Sequence, residues 1–232
     1  MSTGTDKRAP RRTSPTYAVR APLLRWLREE AERTARERGS VRVLDVGSGP
    51  KPYEPLFAAC AAEYVGLDLS GADLVGTVED LPVPDASYDL VLCNQVLEHC
   101  DDPPQAVREL RRATAPGGRV LASTHGVQVY HPAPVDLWRW THTGLERLFR
   151  SNGDWSAVTV RPGSGTAACV GMLLGTFMHL LAKRAGAPVL AKPAIAAVNA
   201  GAEALDRRVA ALREPQPGTI FANYHVVAEV AP

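Results

Sequence analysis

Apolar residues recur along this chain in two alternating rhythms. From Ala18 to Arg38, Leu23, Leu24, Trp26 and Leu27 form one apolar side of a pattern otherwise filled by Arg and Glu, which predicts a helix stopped at Gly39. VRVLDVG, residues 41–47, is a short β-branched run of the kind buried on both faces of a parallel sheet. A glycine turn, a helix near Glu54–Ala62 and a strand at Tyr64–Leu69 should follow. Further strands are predicted at 74–78, Tyr88–Cys93, Arg119–Thr124 and Val158–Val160. Helices are predicted over Pro103–Thr114, closed by Pro116-Gly117-Gly118, and over Thr141–Ser151, with Thr141 or Thr143 as N-cap.

Strands alternating with helices as far as residue 160 imply a mostly parallel sheet covered on both faces. Residues 166–212 then read as two helices broken near Gly186 and Pro188, before a last strand candidate at Thr219–Val230. The expected fold is α/β and Rossmann-like: a seven-stranded, mostly parallel sheet with a helical lid insertion, about 166–212, before the last strand. Residues 1–15 are polar, basic and proline-containing and are expected to be a disordered tail, leaving 16–232 as one domain. In the apolar segment Ala167–Ala182, Val170, Leu173, Leu174, Phe177 and Leu181 mark one helical face. It falls short of the roughly 20 residues that cross a bilayer. A lid, core helix or homodimer surface is expected, with peripheral contact to a membrane or a lipid-linked acceptor as the alternative.

Composition narrows the class. Hydrophobic residues make up 45% and charged residues 22%, enough for a sizeable core, and a net charge of +1 supplies no global attraction for nucleic acid or anionic surfaces. No nucleic-acid partner is expected: no NPPY-type motif and no basic face occur. Cys60, Cys93, Cys100 and Cys169 form no CxxC pair, and the start lacks the apolar core of a secretory signal. Reduced thiols in the cytoplasm are expected. Cys93, His99 and Cys100 lack the usual zinc spacing, so no metal site is expected.

Asp45-Val46-Gly47-Ser48-Gly49 stands where a strand meets a helix, where glycines let the backbone approach a ligand. Asp68 closes the second strand about twenty residues later, where a carboxylate can accept from two ribose hydroxyls. A dinucleotide dehydrogenase is the rival, but its fingerprint needs a third glycine, and Gly47-Ser48-Gly49-Pro50-Lys51-Pro52 ends in proline.

VLDVGSG, YVGLDLS, VEDLPVPDASYDLVLCNQVLEH and RATAPGGRVLAS, in this order over about residues 40–125, resemble the successive motifs of class I S-adenosylmethionine (SAM)-dependent methyltransferases. The closest resemblance is to the small-molecule branch with EDLPxPDxSxD and LEH signatures. It implies that Gly47, Ser48 and Gly49 line the methionine and ribose of SAM, that Asp45 orders the loop, and that Asp68 holds the ribose hydroxyls. It also implies that Leu69 packs on adenine, that Asp80 accepts from the adenine amino group with Leu81 nearby, and that Asn94, Gln95 and His99 border the cofactor. Pro50 departs from a loop that often carries glycine, and the short link from Asp68 to Tyr88 implies loss of the helix between strands two and three. YHPAPVDLWRWTHTGLERLF, residues 130–149, resembles a segment of a subgroup associated with bacterial glycan or secondary-metabolite pathways.

The expected activity is methyl transfer to a small-molecule acceptor, at oxygen, with N- or C-methylation and a non-catalytic binding subunit as alternatives. A hydroxyl acceptor must lose a proton, and a histidine suits that task near neutral pH. His125 and His131 follow the fifth strand at the carboxyl edge of the sheet, where open α/β sheets bind ligands, and are the candidate general bases. Asp136, Trp138, Arg139 and Trp140 are candidates to shape the acceptor pocket. Tyr17 and Arg20 are candidates to meet the SAM carboxylate. The acceptor is expected between the 125–142 loop and the helix at 166–185.

Overall fold

The computed structural model describes residues 8–132 and 134–232; residues 1–7 of the expected tail and Ala133 lie outside the described residues. Helix α1 (Tyr17–Arg38) ends at Gly39, whose φ of +68° is open to glycine at no steric cost. Seven strands follow in one sheet: β1 (Val41–Val46), β2 (Ala61–Asp68), β3 (Leu74–Val75), β4 (Tyr88–Asn94), β5 (Thr114–His125), β6 (Ala157–Pro162) and β7 (Asn223–Glu229). Their order is β3-β2-β1-β4-β5-β7-β6. Pairings from β3 to β5 are parallel, and β7 runs antiparallel to both β5 and β6. This is the expected Rossmann-like sheet.

The helices are α2 (Glu54–Phe57), α3 (Pro103–Ala113), α4 (His142–Ser151), α5 (Thr166–Arg184) and α6 (Lys192–Arg208), with 3-10 turns at Pro188–Ala191 and Ala210–Arg213. Asp102 caps α3 by accepting from Gln105 N at 2.9 Å, and Thr141 caps α4 by accepting from Gly144 N at 3.1 Å. Leu90, Val91, Leu92 and Cys93 are all buried, so β4 is covered on both faces. One face packs Leu44, Val91, Val120 and Val226 with α3 and α4; the other packs Leu90, Leu92 and Leu121 under α1.

Several elements differ in extent from the sequence pattern, β7 among them, which starts at Asn223 rather than Thr219. Helix α2 is a single turn rather than reaching Ala62, because Ala61 already pairs with Val41 as the start of β2. Strand β5 begins at Thr114, which pairs with Tyr88 ahead of a register shift in the ladder. Strand β3 keeps only two residues, since Gly76 turns the chain under Pro82 so tightly that a Cβ there would sit 2.8 Å from the ring. No helix intervenes between β2 and β3, as the short link implies. Residues 8–15 lie against α6: Asn199 Nδ2 donates to the carbonyls of Arg12 and Ser14, and Arg12 pairs with Glu203 at 2.8 Å.

Candidate active site

The carboxyl ends of β1, β2 and β4 open onto a cavity of about 460 Å³, within the size range of small-ligand sites. Gly47 takes φ +72°, and a Cβ there would meet Val96 Cγ2 at 2.3 Å, so only glycine lets the loop come this close to the β4 turn. Gly49 takes φ +51° and donates its N–H to Asp68 Oδ2 at 2.8 Å. Asp68 Oδ1 accepts from Leu69 N at 2.7 Å. A carboxylate has about four lone-pair sites. Two remain on Asp68, which lines the cavity, for a diol.

Of the residues predicted to hold cofactor, Gly47, Asp68, Leu69, Gln95 and His99 line the cavity. Gln95 holds φ +59°, a strained conformation for a residue with a side chain, secured by its N–H to Ser123 O at 2.8 Å and its amide to Ser123 Oγ. Asp45 is buried beneath the loop and accepts from Tyr64 OH at 2.7 Å. Ser48 and Asn94 are buried, Asn94 accepting from Ser123 Oγ. Asp80 and Leu81 are not brought to the cavity: Asp80 is exposed, and Leu81 is buried with its N–H on Glu109. Thr77, Val78 and Glu79 form that wall instead. Gly76 precedes them on the same wall, and a run read as VEDLP does not reveal which of its two acids lines the cavity. Tyr17 lies outside this cavity, with its hydroxyl on Glu203.

Beside the cavity, the loop after β5 folds back over the β4 turn. Leu137 N and Trp138 N both donate to Glu98 O, Trp138 Nε1 donates to Cys100 O, and Trp140 N donates to His125 O. Asp136 accepts from His131 N at 3.0 Å and is clamped by both terminal nitrogens of Arg139, which holds its carboxyl well below the usual range. These bonds set three polar side chains in a row. Glu98 is fully buried; its Oε2 accepts from Thr124 Oγ1 at 2.8 Å, and its Oε1 faces His125 Nε2 at 3.3 Å. His125 Nδ1 stands 3.4 Å from His131 Nε2. The His131 ring meets the edge of His99, centroids 5.0 Å apart, and His99 is itself a wall of the cavity, fixed through Nδ1 on Val135 O.

Burial dominates the electrostatics. It raises the Glu98 carboxyl to about 7 and lowers His125 to about 3, with His131 and Arg139 adding to the second shift. His131 is lowered mainly by burial and is partly restored by Asp136. The ligand atoms of Glu98, His99 and His131 also lie within 4.8 Å of one another, close enough in principle to share a cation. Cys93 and Cys100 are buried, Cys100 donating to Leu97 O, and neither joins that group. Glu98 and Thr124 were not singled out from the sequence. The available signal was an acid four residues after a largely buried strand, in a turn already marked by His99.

Comparison with known proteins places this geometry. The family model described as a methyltransferase domain matches residues 16–153. The malonyl-acyl-carrier-protein O-methyltransferase of Erwinia billingiae is 35% identical over 144 residues, covering 54% of this chain and 57% of that protein. The chain spans about half the length of the curated relatives it matches. Among solved structures, the cyclase SpnF superposes with a TM-score of 0.54 at 18% identity, covering 91% of this chain and 81% of that one. Phosphoethanolamine N-methyltransferase 2 of Haemonchus contortus, in complex with S-adenosyl-L-methionine, gives 0.52 at 15% identity, covering 100% of this chain and 61% of that one. At these identities the structural likeness speaks for the fold alone, and a cyclase among the neighbours shows that the fold does not fix the chemistry.

Proposed function

Because this chain belongs to the methyltransferase-domain family, we propose that it moves the methyl group of SAM to an oxygen of a small acceptor seated between the cofactor cavity and the 125–142 loop. It is a SAM-dependent transferase of the class I fold, acting on a small molecule. When bound, SAM supplies a methyl group already activated on a sulfonium, so the protein has to position the acceptor, exclude water and receive a proton.

The glycine loop at Gly47–Gly49, where a Cβ on Gly47 would meet Val96, fits the methionine and ribose of SAM, with Asp45 buried just before it. Asp68 takes the ribose hydroxyls through its remaining lone pairs. Leu69 would pack on the adenine, and Thr77, Val78 and Glu79, which line the cavity where Asp80 and Leu81 do not, would stand nearest its edge. Gln95 and His99 would close the side toward the acceptor, with Asn94 buried behind them.

One observation carries the choice of oxygen: the Glu98–His125–His131 row abuts the cofactor cavity through His99. An ionised Glu98 accepts from His125 Nε2–H, which leaves His125 Nδ1 to accept from His131 Nε2–H. His131 Nδ1 then keeps its lone pair for a hydroxyl proton. The positive charge gained by His131 is stabilised by the carboxylates of Glu98 and Asp136. An acceptor that is already ionised would need no such row. The resemblance of residues 130–149 to the glycan and secondary-metabolite subgroup supports an acceptor of that kind.

The test incubates the purified chain with SAM and separate panels of phenols, sugar hydroxyls and amines, and measures S-adenosylhomocysteine. Turnover should appear on a hydroxyl panel, and His131→Ala should lower it by roughly 10²–10⁴ with SAM affinity retained. Turnover confined to amines would refute the oxygen assignment.

A further inference from the structure

Helix α5 has two unlike faces. Ala168, Cys169, Gly171, Met172 and Gly175 turn inward, with Ala168, Cys169 and Met172 against Ala18 and Val19 of α1. The glycines let α6 approach: a Cβ on Gly171 would stand 3.1 Å from that of Ala202. The opposite stripe, Val170, Leu174, Phe177 and Leu181, recurs at helical spacing, and each of these side chains is about half exposed, Phe177 at 56%. The following 3-10 turn adds Val189 and Leu190, exposed by 64% and 78%. Soluble chains rarely leave so many large apolar side chains together in water without a use for them.

Charge on this surface is one-sided. From Thr166 to Ala202 the sequence contains no Asp or Glu, while Lys183, Arg184 and Lys192 are exposed around the apolar turn. A second copy seated here would bring cations toward cations, with no acid on the face to pair them. A span is disfavoured as well: the inward face is committed to α1 and α6, and the 19 residues of α5 make a rod of only about 28 Å. An anionic lipid surface suits both features, because apolar side chains enter the acyl boundary while Lys and Arg meet the phosphates.

We propose that α5 and the turn at Pro188–Ala191 dock the enzyme flat on an anionic membrane surface. The helix starts beside the acceptor edge. Thr166 Oγ1 accepts from Ile220 N, and Ala222, two residues on, accepts at its carbonyl from Gly126 N next to His125. The start of the docking helix is thus tied through this segment to the His125–His131 loop. The inference is independent of which atom is methylated.

Co-sedimentation of the full chain with vesicles tests it. The protein should pellet with phosphatidylcholine vesicles containing phosphatidylglycerol, pellet poorly with phosphatidylcholine alone, and be weakened by salt. Each surface cation contributes about a fivefold factor in partition, so the combined Lys183→Glu, Arg184→Glu and Lys192→Glu variant, which also adds repelled charge, should bind more than about a hundredfold less. Phe177→Ser with Leu190→Ser should abolish binding with the cations intact. SAM calorimetry on every variant reports folding; if the serine variant fails it, the charge variant, altered only at exposed positions, decides. Failure to pellet with phosphatidylglycerol, or undiminished binding by the charge variant, overturns the proposal. A dimer in light scattering that Phe177→Ser dissociates also overturns it and assigns the face to a second copy.

Discussion

Glu98→Gln keeps the shape of a fully buried side chain and removes its charge. In the wild type, Oε1 faces His125 Nε2 at 3.3 Å and His99 Nε2 at 3.9 Å without a formed hydrogen bond, while Oε2 is held by Thr124. The charge that matters develops on His131, whose ring nitrogen lies within 4.8 Å of the Glu98 carboxylate. At an effective dielectric constant of about 20, that separation corresponds to about 3.5 kcal/mol, or between 10² and 10³ in rate. Because His131 is only partly buried, water screens the pair and favours the lower end. Gln adds a second effect: its amide N–H can donate to His125 Nε2, which reverses the His125 tautomer and points an N–H at His131 in place of a lone pair. Folding should not suffer, since a buried carboxylate already pushed up to about 7 is replaced by a neutral isostere. The assay is kcat and KM on the hydroxyl acceptor found in the panel, with calorimetry for SAM. The expected result is a kcat loss of about 10²–10³ at unchanged SAM affinity. A loss below about tenfold, or an equal loss in SAM affinity, would refute the relay and make Glu98 a structural bond to Thr124.

Three further outcomes are expected. Asp68→Ala removes the acceptor for Gly49 N and Leu69 N as well as that for the ribose, so SAM binding measured by calorimetry should weaken by about 1–3 kcal/mol, with Asp68→Asn intermediate. Glu79→Ala should raise the SAM dissociation constant by about tenfold while Asp80→Ala leaves it unchanged, because only Glu79 lines the cavity; the reverse order would restore the role implied for Asp80. His225, buried against the Trp26 ring and accepting from Asn223 Nδ2, is lowered to about 3. Its unfolded form takes up a proton near pH 6.5 and its folded form does not. Stability should therefore fall as pH drops from about 6.5 toward 3, by up to about 1.4 kcal/mol per unit from this group, and urea unfolding of His225→Gln should show a shallower slope than the wild type.

The chain order of elements and the cofactor loop were legible in the sequence because both depend on local chemistry. A run such as VRVLDV, without a polar alternation, belongs in a doubly covered strand whatever surrounds it, and Gly47 and Gly49 announce backbone that other residues adopt with difficulty. Asp68 followed from its distance along the chain, since a strand end one crossover away falls beside the first loop in a parallel sheet. What lay beyond sequence was set by contacts between distant segments. That Glu79 lines the cavity while Asp80 is exposed depends on the path of the chain after Gly76, which packs under Pro82, a contact that no periodicity records. His125 and His131 were candidates by position. Only the folding of the 125–142 loop onto Glu98 made a row of them, by pinning Leu137 and Trp138 to the Glu98 carbonyl in the turn after β4 and Trp140 to that of His125 at the end of β5. The face of α5 was likewise decided in three dimensions: its composition suits a core helix or a surface one equally, and packing with α1 and α6 through Gly171 and Gly175 left Phe177 and its neighbours outside. Sequence encodes what each residue can tolerate locally, whereas burial, and with it every shifted proton affinity in the site, exists only once the segments are brought together.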